Sequence, residues 1–424
     1  MASSGTIIGS QSGTRPYLEL DWSILNQEIN NNRSRVRLTL YLRVTSNNVG
    51  YSARYTGRLQ GASFTSSSGY ISSAGRYRIA QRDIWVNHNS DGSKTERFTA
   101  DYNLNMTWGG TYYGNITLSG TGTLDTIPRA TTLSAFSIKY SLQVGANNVI
   151  DYTVDRKHSN FRHQIELRDG SYVIERWDNV SSDGASTLTL SGSKVNVMLN
   201  RMANSTSKTF TLRVATRSGV GGGWIGSAVT RNATAHVHTS VSPSASGMST
   251  SISGSGRDKA INKYVQSVTR VSASFSGSAG YGAHVSNYRI QVRRVSGGAN
   301  SQSISGNSGT TTNPVALSGT YEAIGTVTDS RGRTATSRST FTVEAYSPPS
   351  ITNFTAVRNG AKQTEVITSR SGKHSPLGGS NPLSIYIQRR QGSGSWVNLT
   401  TSPFTSTSST FSGSYTSTSN SISL

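Results

Sequence analysis

Apolar and polar residues alternate with a period of two along most of this chain. Tyr17-Leu18-Glu19-Leu20-Asp21-Trp22 sets the pattern, and Arg35 to Val44 repeats it at greater length. Successive side chains of a strand point to opposite faces, so each stretch predicts a strand with one buried and one wet face. The same reading predicts strands at Ile84–Val86, Arg97–Met106 and Tyr113–Leu124, then at Val149–Val154, Phe161–Leu167, Tyr172–Trp177 and Thr209–Thr216. A third set is Tyr264–Phe275, His284–Arg293, Thr320–Thr328 and Thr334–Glu344; a fourth is Ser384–Arg390 and Trp396–Leu399. No stretch has a convincing helical period; Lys259 to Val265 offers a helical turn at most.

Tyr321 to Thr336 shows how these strands are joined. Two strand patterns flank Asp329-Ser330-Arg331-Gly332, where Asp favours a turn start and Gly accepts a positive φ without steric cost. Asp169-Gly170 is a second strong hairpin signal. Proline lacks the amide needed to continue a ladder and suits a joint. Pro-bearing joints at Ile127-Pro128, Val241-Ser242-Pro243 and Ser347-Pro348-Pro349 recur about every 110 residues, near the ~100 residues of an immunoglobulin-type sandwich. The expectation is all-β: an N-terminal jelly roll or sandwich (1–128), then a string of immunoglobulin- or fibronectin-like modules at 129–240, 241–346 and 347–424. The last stops without a closing hairpin of the Thr328-Asp329-Ser330-Arg331-Gly332 kind, which reads as an incomplete module of a longer protein.

Composition sharpens this picture. The hydrophobic share is 33%, low for a packed chain, but 19 Tyr, 10 Phe and 6 Trp lie inside the alternating runs, whereas disordered chains are poor in aromatics. There is no cysteine, so neither disulfides nor thiolate metal sites enter the argument, and a bacterial or viral source is favoured. The opening Met1 to Gly13 has neither a basic leader nor an apolar segment and does not read as a signal peptide. No run approaches the ~18 apolar residues of a membrane helix. A chain made in the cytoplasm, unexported, yet built like an adhesin fits a virion component.

The formal charge is +21, from 41 Lys and Arg against 20 Asp and Glu. The arginines are dispersed (Arg33, Arg35, Arg37, Arg43, Arg54, Arg58, Arg76, Arg78) without a basic block. Solvated strand faces with edge protection are the first reading. Diffuse attraction to a polyanion is the second; nucleic acid is one such polymer, and the phosphate-bearing polymers of a bacterial wall are another.

Candidate chemistry is sparse. Asn87-His88-Asn89-Ser90-Asp91-Gly92 resembles a calcium loop only in part: Asn87 replaces the first Asp and Phe98 stands where the bidentate Glu belongs, so a hairpin turn is expected. No Gly-x-Ser-x-Gly elbow or Gly-Lys-Ser/Thr loop occurs, and His236 with His238 makes no metal set. Catalytic, cofactor and metal residues are therefore assigned to none. Trp22, Trp85, Trp177, Trp224 and Trp396 sit in or beside strand patterns and read as core-filling. Trp108-Gly109-Gly110-Thr111-Tyr112-Tyr113 differs, because its aromatics flank a Gly-Gly turn. Either they pack inward, or they form an exposed loop able to stack on sugar. Trp108, Tyr112 and Tyr113, with Arg76 and Arg78 on the same module, are the candidate surface-ligand contacts.

His88 to Thr95, Gly120 to Thr131, Tyr264 to Ile290, Gly319 to Thr336 and Glu344 to Arg358 occur in that order along the chain. In them the chain resembles an uncharacterised structural-protein family, a domain of unknown function, of siphophages infecting Gram-positive bacteria. The resemblance implies a virion protein of the tail tip, tail fibre or baseplate that works in host adsorption, with no catalytic residue to carry over. It implies other virion proteins and further copies of itself as partners, and the basic charge adds a host-wall polysaccharide or teichoic-acid-type polyanion as the candidate ligand. A capsid or tail-tube decoration protein is the alternative; a wall-degrading enzyme and a nucleic-acid binder are the lesser ones.

Overall fold

The computed structural model describes residues 3–13, 15–47, 51–52, 55–66, 70–71, 73–108, 111–296, 301–390, 392–400 and 402–418. The first module contains β1 (Ser4–Ile8), β2 (Tyr17–Glu28), β3 (Arg33–Val44), β4 (Tyr51–Ser52), β5 (Tyr55–Leu59), β6 (Ala62–Ser66), β7 (Tyr70–Ile71), β8 (Gly75–Asn87), β9 (Lys94–Trp108) and β10 (Thr111–Leu124). Two antiparallel sheets, ordered β1-β2-β3-β8 and β10-β9-β5-β6, form a sandwich, with β4 and β7 as a small ribbon. Alternation decides the core. Leu18, Leu20 and Trp22 of β2 and Val36, Leu38, Leu40 and Leu42 of β3 meet Phe98, Ala100, Tyr102 and Leu104 of β9, each aliphatic contributing about 1.5–3 kcal/mol by leaving water. Trp22 leaves room for glycine only: a Cβ at Gly122 would stand 2.7 Å from its ring and 2.9 Å from Phe98.

The His88 to Thr95 segment is a corner rather than a hairpin, since β8 and β9 belong to different sheets. Gln27 donates to Ser34 Oγ at 3.2 Å, and Ser34 Oγ lies 2.7 Å from His88 Nε2. The Gly92 carbonyl 2.7 Å from His88 Nδ1 can only accept, so Nδ1 carries the proton. Gly92 has φ +82°, its carbonyl also accepts from Ile127 N at 3.0 Å, and a Cβ there would fall 1.9 Å from the Ile127 carbonyl oxygen. The turn and the strand exit near Pro128 thus hold each other.

The next strands are β11 (Thr132–Ile138), β12 (Asn148–Asp155), β13 (Arg162–Asp169), β14 (Tyr172–Val180), β15 (Gly184–Leu190), β16 (Ser207–Arg217) and β17 (Trp224–His236), in sheets β11-β12-β15 and β14-β13-β16-β17. This is the three-plus-four order of fibronectin-type sandwiches. A helix the alternation did not predict, α1 (Gly192–Asn200), links β15 to β16. Its signal is the buried set Val195, Met198, Leu199 and Met202, spaced at helical intervals.

The third set is β18 (Ser244–Ile252), α2 (Arg257–Ala260), β19 (Tyr264–Val265), β20 (Val271–Ser278), β21 (Val285–Arg294), β22 (Gln302–Ser305), β23 (Ser308–Thr310), β24 (Gly319–Asp329) and β25 (Thr334–Glu344). Its sheets are β18-β20-β23 and β19-β25-β24-β21-β22. The expected single strand from Tyr264 to Phe275 is two. β19 runs parallel to β25, and the chain then turns through Ser267 at φ 59° into the other sheet. Buried Thr269 stabilises the break, accepting from Val265 N at 2.8 Å and donating to buried Asp258 at 2.7 Å.

The last set is β26 (Ser350–Asn359), β27 (Lys362–Lys373), β28 (Leu383–Ile385), β29 (Gln388–Arg389), β30 (Val397–Asn398), β31 (Phe404–Ser406) and β32 (Thr410–Thr418). Among the described residues β26-β27-β32 is a three-stranded sheet, and β28–β31 and β29–β30 are short pairs. The chain divides into two compact units, Met1–Val197 with Ser207–His236, and Met198–Thr206 with Val237–Leu424. Among the described residues no helix is long and apolar enough to cross a membrane.

Candidate functional site: an arginine–aromatic sheet face

The outer face of β2-β3-β8 follows from the alternation that builds the core. With Val36, Leu38, Leu40 and Leu42 inward, Arg35, Arg37, Thr39, Tyr41 and Arg43 point out. Across the ladder, Arg35 faces Trp85 and Arg37 faces Asp83. Strict alternation in β8 would then turn Ile79 and Tyr77 outward and hide Arg78 and Arg76. A bulge between Leu40 and Tyr41 takes up Ile79 as an extra residue, setting Ala80 opposite Leu40 and Arg78 opposite Tyr41. Ile79 is buried, and the bulge re-aims Arg78 and Arg76 to the outer face, as bulges do.

Carboxylates and rings order these guanidiniums. Arg76 donates to Glu19 and Asp21, both at 2.6 Å, and its Cζ lies 3.7 Å from the Tyr41 ring centre. Arg37 holds Asp83 through two bonds, 2.8 and 3.2 Å, and Arg35 adds a third at 3.0 Å. Arg33 donates to Glu28 at 2.7 Å and lies 4.2 Å over the Trp85 ring. The Arg37 hydrogen bonds lower the Asp83 carboxyl below its ordinary value. Those of Arg33 do the same for Glu28. Burial opposes the effect at Asp21, but hydrogen bonds from Arg76 and Thr6 still lower it. The face sets Arg33, Arg35, Arg37, Arg43, Arg76 and Arg78 against Glu19, Asp21, Glu28 and Asp83. Exposed Arg78 has no carboxylate within salt-bridge range among the described residues.

The five sequence-derived contacts separate into two groups. Arg76 and Arg78 lie on this face. Trp108, Tyr112 and Tyr113 lie on the β9–β10 hairpin of the other sheet, where Trp108 pairs with Thr111. Gly109-Gly110 and the Trp108 side chain fall outside the described residues. Tyr112 is 65% exposed and donates to Asn105 at 3.0 Å. Tyr113 packs on the core, with Arg15 5.5 Å from its ring centre.

Of the tryptophans read as core-filling, Trp22 is buried and Trp177 half-buried, while Trp85, Trp224 and Trp396 are exposed. Each exposed one lies under an arginine: Arg33 over Trp85, Arg217 over Trp224 at 4.0 Å and Arg390 over Trp396 at 5.0 Å. The available signal was phase: inward Val86 turns its neighbour Trp85 outward, and Arg217 faces Trp224 in the β16–β17 register. A guanidinium resting on a ring is held flat with N–H edges free, which suits phosphate or carboxylate recognition at low entropic cost.

The family described as "Siphovirus protein of unknown function (DUF859)" matches residues 13–423. No curated protein matches the chain. Among solved structures, a tetra-tandem repeat from the extending region of a large adhesion protein is 14% identical at a TM-score of 0.32, covering 93% of this chain and 89% of its own. The ICAM-5 D1–D4 ectodomain fragment is 12% identical at 0.33, covering 90% and 95%. Chicken CNTN1 FN1–FN3 is 12% identical at 0.22, covering 76% and 97%.

Proposed function

The chain belongs to this siphovirus family, and from that premise we propose that it is a virion protein of the tail tip, fibre or baseplate that presents β-sandwich modules to the host surface. Its ligand is a phosphate-bearing wall polymer of the teichoic-acid kind, met first by the outer face of β2-β3-β8. The observation that carries this reading is the bulge that brings Arg76 and Arg78 onto a face already holding Arg35 and Arg37. Phosphates meet the free guanidinium edges, and uncovered parts of Trp85 and Tyr41 stack on sugar. Other virion proteins and further copies of the chain are its expected assembly partners.

A structural rather than enzymatic role fits the family and the modular β build; release of reducing ends from host wall by the purified chain would overturn it. Immunogold labelling of intact phage with antibody against residues 1–240 tests location. Label at the tail tip is the expected result. Label on the head or along the tube would make the chain a decoration protein.

A further inference from the structure

Among the described residues, the first strand of the last module is packed less than its counterparts in the two preceding sandwiches. In the sandwich of β11–β17, the first strand lies beside the last, and Arg231 donates to the Leu133 carbonyl at 2.9 Å. In the sandwich of β18–β25, Met248 N donates to Ser337 Oγ at 3.2 Å, and Ala245 and Met248 pack on the core. The matching first strand of the last module is β26. Its register sets Ile351 opposite Gly372 and Phe354 opposite Arg370, so both side chains share the face on which Val366, Thr368 and Arg370 are buried. Yet Ile351 is 61% and Phe354 54% exposed. Phe404 and Phe411 cover the β27–β32 half of this face. Among the described residues no strand pair stands over the β26 half as β24 and β25 stand in the preceding sandwich.

Two buried groups point the same way. Arg370 is only 8% exposed, and its Nε and Nη1 have no hydrogen-bond partner. His374, at 5%, has neither ring nitrogen partnered. A desolvated guanidinium without an acceptor is costly and calls for an oxygen. The module's charge says which kind. From Ser347 onward, Arg358, Lys362, Arg370, Lys373, Arg389 and Arg390 face a single carboxylate, Glu365. A second copy of this face would add like charge, whereas an acidic partner complements it.

We propose that the open face of β26 docks a β-hairpin of another polypeptide, apolar toward Ile351 and Phe354 and carrying a carboxylate that reaches Arg370. The hairpin completes the sandwich by packing its apolar face across β26, as β24 and β25 pack across β18 from the opposite sheet one module earlier. It buries the two exposed side chains and supplies the missing acceptor in one step.

The test uses the full chain and two synthetic hairpins of residues 319–344, one native and one with Ala323→Glu on its inward face. The Glu hairpin is expected to bind one-to-one, at least about tenfold more tightly than the native one, as a desolvated charge-assisted pair allows. Arg370→Gln should erase that difference. Phe354→Asp, at an exposed position that leaves folding intact, should abolish binding of both. Failure of both hairpins to bind, or unchanged binding by Phe354→Asp, overturns the proposal. Dimerisation of the full chain that Phe354→Asp abolishes would assign the face to a second copy, and equally overturn it.

Discussion

Glu166 is 1% exposed yet ionised beneath three guanidiniums: Arg168 at 2.5 Å, Arg176 at 2.6 Å and Arg213 at 3.2 Å. Burial alone would raise its carboxyl, but the hydrogen bonds and charges of Arg168 and Arg176 outweigh it and leave the group below its ordinary value. A lowered carboxyl stabilises the fold above the unfolded value near 4.5, and that stability is lost as pH falls further. Glu166→Ala leaves three arginines facing one another and should cost about 3 kcal/mol, read as a lower unfolding midpoint. His163 behaves oppositely in charge but not in direction. Fully buried, its imidazole is lowered by burial from the ordinary 6.5, although Asp183 and a Ser182 backbone contact pull the other way. The unfolded chain takes up a proton near 6.5 while the folded chain resists it. Stability is therefore complete above about pH 6.5 and declines below. Melting between pH 7 and 5 should show this slope, and His163→Leu should flatten it; an unchanged slope would mean that His163 is not the group responsible.

At the scale of elements, the turn of β24–β25 shows what alternation can and cannot reveal. Asp329 Oδ1 accepts from the amides of Arg331 and Arg333, both at 3.0 Å, and Gly332 sits at φ +80°; this much follows from the residue types. The sequence does not reveal the arginines' destination. Arg331 donates to the Leu199 and Met202 carbonyls at 2.9 Å, at the end of α1, and Arg333 to those of Val237, His238 and Val241 at 2.6–2.8 Å. All these residues belong to the second compact unit. A cation suits carbonyls left over at a helix C-terminus, but their sequence separation exceeds anything a local pattern encodes. Arg331→Ala should cost about 2–3 kcal/mol and raise amide exchange in peptides spanning 199–206, while peptides from β1 to β10 stay protected. The same limit explains the other differences. Strands with one wet face were legible because period two is local. α1 was not, because its apolar positions lie among Ser, Asn and Lys. The re-aiming of Arg76 and Arg78 was not either, because a bulge is a property of two strands. Nor were the Arg–Trp stacks, since phase alone cannot tell an outward Trp from a core one until its neighbour's direction is fixed. Gly92→Ala tests the corner: with φ +82° and the Ile127 carbonyl 1.9 Å from the new Cβ, it should destabilise the first module by about 2 kcal/mol or more.

At the scale of the whole molecule, the question is how a charge of +21 is used. It is not gathered into one basic block. Glu19, Asp83, Glu166 and Glu322 each hold two or more arginines, so the excess is distributed over sheet faces, and the Arg–Trp stacks occur in three different modules. Under the proposed function these faces act as weak sites for a long, repetitive polyanion, each engaged module raising the effective concentration of the polymer at the next. A short fragment should then bind weakly and a long chain tightly. If two or three phosphates are engaged, affinity for a glycerol-phosphate polymer should fall roughly 10- to 40-fold between about 50 and 200 mM salt. Arg35→Glu with Arg78→Glu reverses charge at exposed positions, weakening binding by about tenfold at low salt and flattening that salt slope. Binding that ignores polymer length and salt would instead make the arginines a solubilising coat with the carboxylates as their counter-ions, and the aromatic rings beneath them packing surfaces rather than recognition elements.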